Sequence, residues 1–189
     1  MSDKATQGRV WKKIRRDKPL VIGLSPECKL FSALQTLRKP SIPEANMAEA
    51  IECIRFCIEV PNYQRKKQRF IYFEHPLAAS GWRLPDLMKL KDEDDVIDVV
   101  LHMCQFHLQA VDAEGIGLAK KPTRVISNLP SVAESISRQC TGGHRHVHLI
   151  SGEAKAAAAY MQECCNAVVD LVKVVLEAME QLQSLSHCV

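Results

Sequence analysis

Several things are scarce in this chain, and each scarcity narrows what it can be. Aromatic residues make up only 5% of its 189 residues, so aliphatic side chains must supply most of any core. No apolar run comes near the ~20 residues that span a bilayer, so a membrane-spanning helix is not expected. The opening "MSDKATQGR" has no apolar leader core, and the expectation is an intracellular protein. Neither sign of charge dominates. The net charge of +3 argues neither for nor against nucleic acid. There is no internal repeat, and no glycine-rich strand-to-helix turn that would cradle a phosphate. The sole Gly-Ile-Gly, at 115–117, falls in a predicted loop over 113–121.

What is present begins with eight cysteines. They lack a framework spacing and most lie in apolar stretches, where a free thiol is an ordinary small hydrophobe. A reduced state fits better than a disulfide scaffold. Positive charge is concentrated in "RVWKKIRRDK" (9–18) and "RKKQR" (65–69). These are either phosphate-backbone contacts or solvated helix ends.

The pattern predicts a disordered tail over 1–8 and a single α/β domain over 9–189. A basic helix at 9–17 comes first, then a strand at 20–25 buried on both faces and a helix over 29–39. A second helix starts at Pro43 and Glu44 and ends at Pro61. Strands follow at 69–76, 95–106, 122–129 and 143–150, with short helices at 84–91 and 131–140. A long helical stretch fills 153–185. Strand, helix, helix, strand implies a largely parallel sheet.

In such sheets the ligand site lies beyond the carboxyl ends of the strands. The first strand leads to Cys28 and the second to Glu74. A thiol just before a helix sits in the helix's positive field, and a carboxyl group nearby serves as proton donor or hydrogen-bond partner. The competing reading makes Cys28 a packing residue and Glu74 a cap. Cys28 with His75 would also suit a thiol hydrolase, but no oxyanion-hole motif accompanies them.

The residue pattern adds a resemblance. "SPECKLFS" (25–32) resembles the Pro-Pro-Cys-Gln-x-Phe-Ser motif of DNA cytosine-5 methyltransferases, with Pro26, Cys28, Phe31 and Ser32 matching. "FIYFEHP" (70–76) resembles the family's Glu-Asn-Val strand, with His75-Pro76 in place of Asn-Val. "MCQF" (103–106) and "KKPTRVISN" (120–128) resemble later turns and an arginine-bearing strand. Four runs, "IGLSPECKLFS", "EHPLAASGWR", "KKPTRVISN" and "CTGGHRHVHLISG", also resemble degenerate methyltransferase-like segments of retrotransposon-derived polyproteins.

The resemblance implies a partial Rossmann-like methyltransferase sheet, the second half of the fold, with flanking helices and a long C-terminal helix. It implies Cys28 as nucleophile, Glu74 as the acid that reads cytosine, and Arg124 as a holder of the flipped base. Pro26, Ser32 and His75 become substrate-side candidates; Trp82 and Arg83, in the loop after the Glu74 strand, join them as DNA contacts, with core cover the other use open to Trp82. The implied cofactor is S-adenosylmethionine, but the Phe-x-Gly-x-Gly half that binds it has no counterpart here. The implied partners are DNA, and a homodimer or a missing N-terminal half. No membrane is implied, and a DNA partner would make the protein nuclear. The alternative is a non-catalytic nucleic-acid-binding or assembly module derived from a mobile element. Separately, Cys140, His144, His146 and His148 cluster in sequence; the three histidines would share one face of a strand, the spacing matches no standard zinc module and zinc would need a further ligand from elsewhere, so solvated or nucleic-acid-facing histidines are expected and no metal.

Overall fold

The computed structural model describes residues 3–32, 43–149 and 162–186. The sequence reading treats 9–189 as one domain. The structure has two compact units, Met1–Asp98 with Thr123–Leu129, and Val99–Pro122 with Pro130–Val189.

In the first unit, helix α1 spans Lys4–Asp17. The tail expected over 1–8 is corrected from residue 3 onward, residues 1–2 lying outside the described residues: Asp3 caps the helix by accepting the Thr6 N–H at 2.8 Å, so the first turn has a satisfied donor. Lys18 ends α1 in the left-handed conformation, and Pro19 prevents its continuation. One face of α1 buries Ile14 and sets Trp11 edge-on to Phe56 and Tyr63. On the outer side, Lys13 and Arg16 both pair with Asp17.

Strand β1 (Val21–Leu24) follows, then a three-residue turn of 3-10 helix at Lys29–Phe31. The rest of the helix expected at 29–39 falls outside the described residues. Helix α2 (Glu44–Lys66) carries the chain to β2 (Phe70–Pro76). Pro61 does not end α2, as the sequence suggested. It is buried inside the helix, and Val60 before it and Gln64 after it are buried too. Burial of the apolar face, at about 1.5–3 kcal/mol per large aliphatic side chain, outweighs the one backbone hydrogen bond that proline forfeits. Helix α3 (Pro85–Lys91) and, later, β6 (Pro122–Ser127) follow, and β3 (Ile97–His102) starts in this unit and continues as the first residues of the second.

The sheet order is β1-β2-β6-β3. β1 pairs parallel with β2, whereas β2 pairs antiparallel with β6, so the sheet is mixed and not largely parallel. β1 lies at its edge with Gly23 exposed, which corrects the expectation of a strand buried on both faces. β2 is the strand that fits that description: Ile71 through His75 are all buried. The core packs Ile54, Cys57 and Ile58 of α2 with Phe73, Trp82, Leu87, Leu90 and Ile126. Asn128 extends the sheet with its side chain, accepting from the Ile71 N–H at 2.8 Å and donating to the Arg69 carbonyl at 3.1 Å.

In the second unit, a 3-10 turn at Met103–Phe106 leads into an antiparallel hairpin, β4 (Gln109–Asp112) and β5 (Gly115–Leu118). The Gly-Ile-Gly predicted as loop is therefore a strand. Gly115 has φ +102 and neither Ala113 nor Glu114 before it has a positive φ, the pattern of a type I turn closed by a left-handed glycine. Helix α4 spans Pro130–Ile136 and α5 spans Gln162–Ser186. Residues 143–149 do not form the expected strand. They make a single parallel bridge, His146 to Leu118. None of the described helices is long and apolar enough to cross a membrane.

Candidate functional site

The parallel register Leu24↔Phe73 makes Glu74 the first residue of β2 past the end of β1. There the β1 chain turns away as the loop 25–28. Ser25, the first residue of that loop, donates its hydroxyl to Glu74 Oε2 at 2.6 Å. Glu74 itself is only 4% exposed. Pro26 is buried and Cys28 half-buried, not in a disulfide. At most ~11 Å of chain separates Cys28 from Ser25. Ser32 is half-buried and closes the 29–31 turn. A three-residue turn gives Cys28 little of the field a full helix would supply.

A cleft of about 500 Å³ opens beside this loop. Ser25, Pro26, Glu27 and Lys29 line it from one side, and Asn46, Glu49 and Cys53 of α2 from the other. Ser25 thus touches both the cleft and Glu74. Cys28 and Glu74 are not among the residues lining it. Cys53 is a thiol that sequence reasoning passed over. A hydrogen bond with Cys57, one helical turn on, holds the Cys53 thiol below its ordinary pKa and pushes Cys57 up. The i, i+4 spacing of the two was the available signal.

The remaining expected partners lie elsewhere. Side chains alternate along β2, so His75 faces away from Glu74. His75 is fully buried, with its ring 6.1 Å from Phe31 and 5.8 Å from Trp82. Burial drives its pKa down to about 4, although contact with the Pro26 backbone favours the charged ring. Arg124 stands opposite His75 in the antiparallel pair and so shares that face. Its guanidinium lies 5.3 Å over the Trp82 ring, and its Nε is 3.2 Å from Asp98. Trp82 is buried against Phe73, with its indole N–H donated to the Pro76 carbonyl at 2.9 Å. His75, Trp82 and Arg124 therefore form a packing cluster on the opposite face of the sheet from Glu74. The expectation that Arg124 joins Glu74 and Cys28 is corrected accordingly. Arg83 is exposed, one residue beyond Trp82.

The basic runs are largely engaged as well. Arg65 pairs with Glu93 at 2.9 Å and with Asp95, and Arg69 lies over Tyr63. Lys66 and Lys67 remain exposed. S-adenosylmethionine does not fit the described residues. The turn after β1 is Ser25-Pro26-Glu27-Cys28, without the glycine that lets backbone approach such a ligand, and β2 ends in proline.

In the second unit, the sulfur and nitrogen atoms of Cys104, Cys140, His144 and His146 all lie within 4.8 Å of one another. His148 is exposed and is not a member of this group. Cys104 lies in the "MCQF" turn, and its distance in sequence hid it.

No protein-family model, curated protein or solved structure matches the chain.

Proposed function

We propose that the first unit is a DNA cytosine-5 methyltransferase-like fragment, equivalent to the second half of a Rossmann-like methyltransferase sheet. It holds a cytosine at the Glu74–Cys28 edge and does not methylate by itself. One observation carries this reading: a buried carboxyl group, held by Ser25, stands at the start of the loop that bears the thiol. A base that reaches Glu74 must displace the Ser25 hydroxyl, and cytosine offers the matching ring nitrogen and amino group. The Cys28 thiol gives its proton to water, and the thiolate sulfur then adds to ring carbon 6. The electrons of the 5,6 double bond move into the ring, and ring nitrogen 3 takes the proton from Glu74. Without a methyl donor the addition reverses.

A second reading has its own observation. Arg124 and Trp82 are committed to each other and to Asp98, so the arginine and ring suited to hold a base are absent from the edge. This favours a non-catalytic module that contacts the DNA backbone alone. The two readings separate by fluorescence anisotropy on duplexes carrying cytosine or thymine opposite an abasic site. The proposal expects about 10-fold tighter binding to cytosine, lost in Glu74→Gln. Equal binding of both duplexes favours the non-catalytic module, and no binding of either overturns both readings.

A further inference from the structure

The second unit contains a donor set that the Glu74–Cys28 edge does not use. Its construction starts with "CTGGH" (140–144). Gly142 and Gly143 have φ of +98 and +85, conformations that side-chain-bearing residues rarely adopt. This pair of glycines turns the chain back, so that His144 Nε2 lies 3.5 Å from Cys140 Sγ. The next residues alternate. Arg145 reaches the hairpin, donating to Asp112 at 2.6 Å and to the Gly115 carbonyl at 3.0 Å. Arg145 and Val147 cover Gly117 so closely that a Cβ there would lie 2.8 and 2.9 Å from them. With Arg145 and Val147 turned to the hairpin, His146 turns the other way. Its Nε2 also lies 3.5 Å from Cys140 Sγ.

Cys104 completes the group from the 103–106 turn and is 2% exposed. Two thiols and two imidazoles converge. A tetrahedral Zn²⁺ with sulfur at ~2.3 Å and nitrogen at ~2.0 Å requires sulfur–nitrogen edges of about 3.5 Å. Both Cys140–histidine separations have that length. The supporting contacts also fit. The Gly142 N–H points at Cys140 Sγ at 3.3 Å, and His102 Nδ1 accepts the Cys140 backbone N–H at 2.8 Å. Such contacts fix a ligand's backbone and favour its thiolate.

We propose that Cys104, Cys140, His144 and His146 form a structural zinc site that ties the 103–106 turn to the 140–146 segment. Four protein ligands leave no open position, so the ion's role is to hold the fold and not to activate water. Among the described residues the core of this unit is built on side chains such as Leu101, Phe106 and Ile136, and a metal cross-link adds to what they supply.

The test uses the full chain purified without chelator, with Zn²⁺ and Co²⁺ as probes. Mass spectrometry of metals should find one zinc per chain. Replacement by Co²⁺ should give the visible bands of a tetrahedral ion together with thiolate-to-metal charge transfer. Cys104→Ser and His146→Asn should abolish stoichiometric binding, while His148→Asn retains it. His102→Ala should weaken Zn²⁺ affinity about 10–100-fold. The wild-type cobalt spectrum decides the matter even if the cysteine variant fails to fold. Octahedral cobalt, no saturable binding, loss of binding in His148→Asn, or a Cys104–Cys140 disulfide in the purified chain would each overturn the site.

Discussion

His75 was a substrate-side candidate and is a core residue, and this change has a measurable consequence. Its ring is buried and neutral, with the pKa lowered from 6.5 to about 4 by burial. The unfolded ring takes up a proton below about pH 6.5, whereas the folded ring does so only near 4. Stability is therefore intact above about pH 6.5 and falls as pH drops toward 4, by about 3 kcal/mol from this group. Urea unfolding followed by tryptophan fluorescence should show that acid limb in wild type and a flatter profile in His75→Phe. An identical limb in both would contradict the assignment. Glu74 and His75 are neighbours in sequence with opposite fates. The strand expected over 69–76 already implies that alternation; what the sequence did not show is that both faces of β2 are covered, so that His75 ends in the core. For Trp82 the sequence left two uses open, DNA contact and core cover, and the structure has the second, with its N–H donated to the Pro76 carbonyl.

Among elements, β2 and β6 were the most legible. The runs at 69–76 and 122–129 read as strands, and both strands are found within a residue or two of their expected ends. Asn128 at the end of "KKPTRVISN" has a structural use that pattern reading missed, because it pairs with backbone more than 50 residues away. Asn128→Ala should leave the Ile71 N–H without its partner and cost about 1–3 kcal/mol. The check is a shift in urea midpoint with no change in the slope of the transition. A cost under ~0.3 kcal/mol would show that water replaces the amide there. The β4–β5 hairpin went unread because glycine marks loops and also marks strands crossed closely by another segment of the chain. At Gly117 the crossing side chain is Arg145. The mixed sheet was missed for a related reason: strand direction depends on the length and path of connections, which hydrophobic pattern does not encode.

At the scale of the whole molecule, two sites have different standing in the sequence. The histidine cluster was visible as "HRHVH", but a metal site needs its fourth ligand, and Cys104 lies 36 residues before Cys140. The Cys28–Glu74 edge was visible through its motifs, yet only part of the expected site gathers there. Ser25 and Glu74 meet, Cys28 follows on the same loop, and Arg124 lies on the other face. The function proposed from this partial assembly is cytosine binding with reversible thiol addition, and not methyl transfer. Its most direct test is intact-protein mass spectrometry after incubation with a duplex bearing 2-pyrimidinone at the target position. That base lacks the 4-amino group, is more electrophilic at carbon 6, and needs no methyl donor to retain an added thiol. The account predicts one oligonucleotide bound per chain, mapped to Cys28, lost in Cys28→Ser and reduced at least ~10-fold in Glu74→Gln. An adduct on Cys53 in place of Cys28, or no adduct on a chain that binds the same duplex, would contradict it.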